Sequence, residues 1–141
     1  MSRPEPASLL LRLLAMLYDL MVLFALWMGT AAIALAVTRG ALDAAHPAYR
    51  LALLAVAACY LVISWRFSGQ TIGMRAWRLR LTGRDGGLPT WSSASLRFAV
   101  GIVSLLAGGL GFAWCLIDAR RRAWHDIAAG TQLVRIAKPG A

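Results

Sequence analysis

Asp19 is an acid set in an apolar stretch. It interrupts the run from Leu13 to Val37, which is long enough to cross a bilayer, a task for about 20 apolar residues. Arg12 stands just before the run. Seven residues of helix turn about 700° and rise about 10 Å, so Arg12 and Asp19 share one face. Arg12 is long enough to snorkel back to the headgroups. Asp19 is short and lies about 9 Å in from Leu13, so it must be protonated, paired or beside water. Intramembrane acids mark ion and proton pathways, which makes Asp19 the candidate ion or proton site. The other chemistry-bearing pair, His125-Asp126, has no further His, Cys or carboxylate cluster beside it. Two adjacent ligands make a poor metal site, and no metal or cofactor is expected. Asp126 is expected to cap or pair with nearby arginines, and Trp124 to anchor its segment at the interface. Cys59 and Cys115 both sit inside apolar blocks, which argues against a disulfide. No nucleophile, phosphate loop or paired carboxylate stands out, so an enzyme is not expected.

The elements that must position these residues follow from composition. Of 141 residues 60% are hydrophobic, and this excess over ordinary soluble domains falls in three blocks. The net charge is +9, from 15 Lys and Arg against 6 Asp and Glu. The arginines flank the apolar blocks, so they read as topology signals and anionic-lipid contacts rather than a nucleic-acid surface. Arg75, Arg78, Arg80, Arg120, Arg121 and Arg122 are the candidates for headgroup contact. Leu13–Val37 exceeds the 7–15 residues typical of a signal-peptide core, so it reads as an uncleaved anchor and the Ala34-Leu35-Ala36 match as chance.

Residues 1–8 read as a loose polar leader, and the first helix as about 9–37. Ala25, Gly29, Ala32 and Ala36 form a small-residue stripe on it, about 100° around the helix from Asp19. Residues 38–47 are a short polar loop in which His46 is solvated. Pro47 suits the start of a second helix of about 48–67. Ala48, Ala52, Ala55 and Cys59 repeat the stripe there, and pairing of the two stripes would make an antiparallel hairpin. Alanine is also simply common in membrane helices. In the polar loop 68–95, Trp77 to Thr82 alternates like a half-buried strand. Asp85-Gly86 signals a turn, Leu88 to Trp91 is a second strand candidate despite Pro89, and Ser92 or Ser93 a helix cap. Gly130 marks a helix stop before another strand candidate, Gln132 to Ile136. A small cytosolic sheet would join these strands.

The third block, 96–117, is long enough to cross once, with a tail of 118–141 behind it. Gly108-Gly109-Leu110-Gly111 lies near its middle, giving two arms of about ten residues, about 15 Å each. With the N-terminus inside, a block that turns back leaves thirteen basic residues inside and two outside, whereas a straight one leaves eight and seven. The positive-inside rule favours the re-entrant hairpin. The straight span stays as the alternative, because Gly101, Ser104, Gly108, Gly111 and Cys115 fall on one helical face. The fold class is thus an all-α membrane protein, a single domain over 1–141. It has two transmembrane helices, a glycine-broken third block and a small cytosolic β-sheet.

The chain resembles the RDD family of bacterial integral membrane proteins, named for one arginine and two aspartates. The resemblance covers nearly the whole chain. It rests on Arg12, Asp19, Gly69-Gln70-Thr71-Ile72-Gly73-Met74-Arg75, Arg97, Trp124-His125-Asp126 and Ala129-Gly130-Thr131. It implies that Arg12, Asp19 and Asp126 are the signature residues, and it implies a bacterial inner-membrane location. Transport, including cation–proton exchange, is the activity it implies, with the role mostly unassigned. Two functions follow. In one, Asp19 is the protonatable site of a transport component, which needs a homo-oligomer because three short blocks can hardly enclose a route. In the other, a non-transporting module serves assembly, partner anchoring or lipid contact, with the three residues structural. Asp19 is expected to face the third block or a second protomer, with Arg12 and Asp126 near the cytosolic rim.

Overall fold

The computed structural model describes residues 5–136. Half of the expected leader (1–4), the last five residues of the tail, and Arg3 and Lys138 of the charge count lie outside the described residues. In chain order the elements are β1 (Glu5–Pro6), α1 (Leu9–Val37), α2 (Pro47–Ser68), α3 (Ile72–Ala76), β2 (Leu79–Thr82) and α4 (Trp91–Leu106). Then come α5 (Leu110–Ala113), a short 3-10 turn (Trp114–Leu116), α6 (Trp124–Ala129) and β3 (Gln132–Arg135). At 29 and 22 residues, α1 and α2 are about 43 and 33 Å long, enough for a hydrocarbon core of about 30 Å. Ser8 caps α1. His46 is exposed as expected, but it also caps α2, its Nδ1 accepting the Ala48 N–H at 3.2 Å. Pro47 sits in the first turn, where its missing N–H costs nothing.

β3 is the centre of a three-stranded antiparallel sheet in the order β1-β3-β2. Leu79 and Leu81 point inward by the two-residue period, and Leu133 of β3 and Ala7, just after β1, meet them. Part of the leader is therefore a strand, although Glu5 and Pro6 carry no apolar pattern of their own. Leu88 to Trp91 forms no strand. Pro89 has no N–H for a ladder, and Thr90 instead caps α4, its hydroxyl accepting the Ser93 N–H. The helix therefore starts at Trp91, ahead of the expected serines. The core gathers where the sheet meets the helix ends, with Trp65, Met74, Ala15 and Ala94 packed on the leucines.

α1 and α2 do form a hairpin, but not through the small stripes. Ala25, Gly29, Ala32, Ala36 and Cys59 are exposed, and nothing lies within 4 Å of where a Gly29 side chain would begin. The packed face of α1 runs instead through Asp19 and Trp27, toward Ala57 and Leu53 of α2. The Trp27 indole donates to the Leu53 carbonyl at 2.9 Å. Indole and carboxylate polar atoms need partners in lipid, whereas alanines lose little by facing it, so the polar groups choose the face. The surface that carries the acid and the surface that packs the neighbour are therefore one surface.

The third block is broken. α4 and the segment from Leu110 to Leu116 meet at 109°, so the block is not one straight helix. Gly108 and Gly109 both take the left-handed backbone (φ +70° and +82°), which L side chains rarely adopt. The arms are unequal, because α4 begins five residues before the apolar block and the second arm is short. Behind the turn, a Cβ on Gly111 would collide with the Ser104 hydroxyl, and would lie 2.7 Å from Ser104 Cβ and 2.8 Å from Trp124 Cε3. Gly111→Ala is expected to open this corner and cost about 1–3 kcal/mol of stability, as overpacking does. The measurement is the melting temperature in detergent. An unchanged value would show that the corner is not close-packed.

Candidate functional site

Arg12, Ala15 and Asp19 are the buried residues of α1, which puts the arginine and the acid on one face as their spacing requires. Arg12 does not snorkel to the surface. It is 3% exposed and every branch of its guanidinium is engaged. Nη1 donates to Asp126 at 2.6 Å, Nη2 to the Arg121 carbonyl at 2.9 Å and Nε to the Ala7 carbonyl at 3.3 Å. A buried guanidinium with a carboxylate within reach has no reason to travel to the headgroups.

Asp126 is fully buried. One carboxylate oxygen accepts from Arg12 and from the Ala123 N–H at 3.0 Å, which also caps α6. The other accepts from Arg97 of α4. Arg97 also reaches the Thr131 hydroxyl at 3.1 Å and stacks over the Trp65 ring, 5.0 Å from its centroid. Burial opposes the charged form of Asp126, but the guanidiniums of Arg97 and Arg12 outweigh it and hold the carboxyl well below the usual carboxylate range. Burial, and then the nearby Arg97 charge, push the His125 imidazole down to about 3, so it is neutral at neutral pH. Two guanidiniums and one carboxylate thus leave the cluster with one excess positive charge.

Asp19 forms a second tie, separate from the first. The Tyr60 hydroxyl of α2 donates to it at 2.7 Å, the Thr71 hydroxyl at 2.5 Å and the Gly73 N–H at 2.9 Å. Thr71 caps α3, and Asp19 lies at that helix's positive end. A Cβ on Gly73 would strike the Ala15 carbonyl and lie 2.9 Å from Asp19 Cγ, so glycine is what lets α3 touch α1. Five of the seven residues from Gly69 to Arg75 are thereby accounted for. Gly69 ends α2, Gln70 donates to the Leu79 carbonyl of β2 at 2.7 Å, Thr71 and Gly73 hold Asp19, and Met74 enters the core. The partners of Asp19 are α2 and the α3 region, not the third block as expected.

The structure brings Arg12 and Asp126 together and leaves Asp19 on the same helical face with other partners. Arg75, Arg78, Arg80, Arg120 and Arg121 are exposed, while Arg122 is half-buried and paired with Asp118 at 3.2 Å. Those contacts hold the Asp118 carboxyl below its ordinary value. No group of three or more potential metal ligands exists among the described residues. Arg97 stands before an apolar block like the topology arginines, but it is half of the Asp126 clamp. Its signal was its place at the mouth of an apolar block, opposite a lone acid. The one sequence signal for Tyr60 is that a hydroxyl in an apolar span needs a partner. A cleft of ≈ 570 Å³ lies between α1, α2 and α4, with Arg12, Asp19, Arg97 and His125 on its walls.

Such features define a class: small helical membrane proteins whose few buried polar residues tie their helices to a small sheet at one end. Within that class the chain belongs to the RDD family, whose model matches residues 6–130. No curated protein and no solved structure matches it.

Asp126→Asn would leave two buried guanidiniums facing each other across a neutral amide. Removing one partner of a buried ion pair costs about 3–5 kcal/mol, so the variant is expected to melt far below the parent or to fail to accumulate. Thermal denaturation in detergent measures this, and a near-parental melting point would mean that the cluster is solvated.

Proposed function

We propose that this chain is a non-transporting membrane module that serves assembly, partner anchoring or lipid contact, with Arg12, Asp19 and Asp126 as structural residues. One observation carries the reading: each of the three spends its polar atoms on partners within the protein. A hard cation collects several oxygen ligands, and about 6–8 for calcium. Both oxygens of Asp19 are instead occupied by N–H and O–H donors. The exposed arginines around the sheet and α6 offer a positive surface suited to anionic headgroups.

In this reading α1 and α2 cross the bacterial inner membrane as a hairpin with the N-terminus in the cytosol. β1 precedes α1 and β2 follows α2, and their membership of one sheet agrees with two crossings. β3 pairs directly with β2. A straight third crossing would part those strands by about 30 Å, whereas paired strands lie about 4.8 Å apart. The bend at Gly108 and Gly109 supports a re-entrant block: α4 packs on α6, and at the break the N–H groups of Ala107, Gly108 and Gly109 donate to the Val103, Leu105 and Ser104 carbonyls of the block itself. Reporter domains fused after Ala141 and inserted in the loop 39–46 are expected in opposite compartments. The same compartment for both would exclude the re-entrant arrangement.

A second reading, cation–proton exchange with Asp19 as the protonatable site, is favoured by the place of Asp19 on the wall of the cleft. It requires Asp19 to release its donors and further copies of the chain to enclose a route. Asp19→Asn separates the two. The structural role predicts a variant about 1–3 kcal/mol less stable, because an amide cannot satisfy all three donors. It also predicts no cation response from the parent protein in liposomes carrying an internal pH dye and challenged with Na⁺, K⁺ or Li⁺. A cation-driven pH change that disappears in a stable Asp19→Asn protein would establish exchange instead.

A further inference from the structure

α2 packs against both α1 and α4, and the cleft opens between those two. Its walls are apolar: Leu20 and Leu23 from α1, Ala57 and Leu61 from α2, Ile102 and Leu105 from α4. It runs along α1 from Arg12 to Trp27, about 22 Å by helical rise. One end is different in kind. Arg12, Arg97 and His125 close it, and the two guanidiniums carry one more charge than Asp126 cancels. Arg97 Nε and His125 Nδ1 are buried there without a partner among the described residues. Arg121, exposed and bound through its carbonyl to Arg12, adds a further positive charge beside that end.

We propose that this cleft is a lipid site: it takes an acyl chain of an anionic phospholipid, the chain lying between α1 and α4 and the headgroup beside the Arg12–Arg97 cluster. The inference rests on α1 and α2 crossing the bilayer. Size suits the chain. At ≈ 570 Å³ the cleft falls in the small-ligand range of about 300–1,000 Å³. Charge selects the headgroup. The uncompensated cation of the cluster lies in a low-dielectric setting, where a phosphate is worth more than it is in water.

The test uses the full chain in phosphatidylcholine vesicles carrying a trace of a lipid with a photoreactive acyl chain, followed by peptide mapping. A phosphatidylglycerol probe is expected to label the segments around Leu20–Leu23 and Ile102–Leu105 about five-fold more than the phosphatidylcholine probe, the ratio that one favourable basic contact gives. Leu23→Trp and, separately, Ala57→Leu fill the cleft and should remove that excess while labelling around the outward Ile33 and Val37 stays unchanged. The headgroup comparison on the parent protein stands even where a variant fails to fold. Equal labelling by both headgroups overturns the proposal. So does preferential labelling by a free fatty-acid probe, or recovery of the cleft peptides cross-linked to a second copy. Release of the protein from the vesicles by alkaline carbonate would instead remove the membrane reading on which the site depends.

Discussion

One carboxylate joins three distant parts of this chain. Asp126 accepts from Arg12 at the start of α1 and from Arg97 near the start of α4, and its other contact caps α6. Desolvating three charges is costly, and a buried pair often returns no more than an apolar replacement would. Its effect is on arrangement. Once the guanidiniums are out of water, any packing that withdraws Asp126 strands two cations, so alternatives to this packing carry a penalty of several kcal/mol. Trp65 lies under Arg97 and extends the constraint to α2.

Asp19 does different work although it shares a helical face with Arg12. Its partners are hydroxyls and a backbone N–H rather than cations, and it fastens α1 to the end of α2 and the first turn of α3. Tyr60 completes a closed circuit, because its oxygen accepts the Ile72 N–H while its proton goes to Asp19. The hydroxyl of Thr71 likewise donates to Asp19 and accepts from the Met74 N–H. The two hydroxyls and the N–H groups of Ile72, Gly73 and Met74 are all used, which is what polar groups at the edge of a low-dielectric region require.

Length and apolarity alone marked both long helices, because only a helix satisfies the backbone of a single segment within itself through about 30 Å of hydrocarbon. The glycine break and the strand at Leu79–Thr82 were equally legible, as a backbone need and a two-residue period. The faces were not. Small residues suggested how α1 and α2 meet, but contact is decided by where Trp27 and Asp19 find acceptors and donors, and those partners lie on another helix. Arg12 and Arg97 looked like surface charges for the same reason. An arginine before an apolar block reads alike whether it meets water or a carboxylate 114 residues away. The two-residue β1 has no pattern to detect, and exists because the edge of β3 was free to pair.

The position of these ties explains the open shape of the rest. The Asp126 clamp, the Asp19 circuit and the sheet all lie toward one end of α1 and α2, and beyond Asp19 α1 has no buried residue. There Trp27 to Leu53 is the hydrogen bond from α1 to α2 among the described residues. In water such bare apolar flanks would collapse together. In lipid no hydrophobic force pulls α1 onto α4, because hydrocarbon chains contact leucine as well as another leucine does. The cleft between α1 and α4 is thus a consequence of tying helices at one end only. What occupies it is decided by the charge left over where the tie was made.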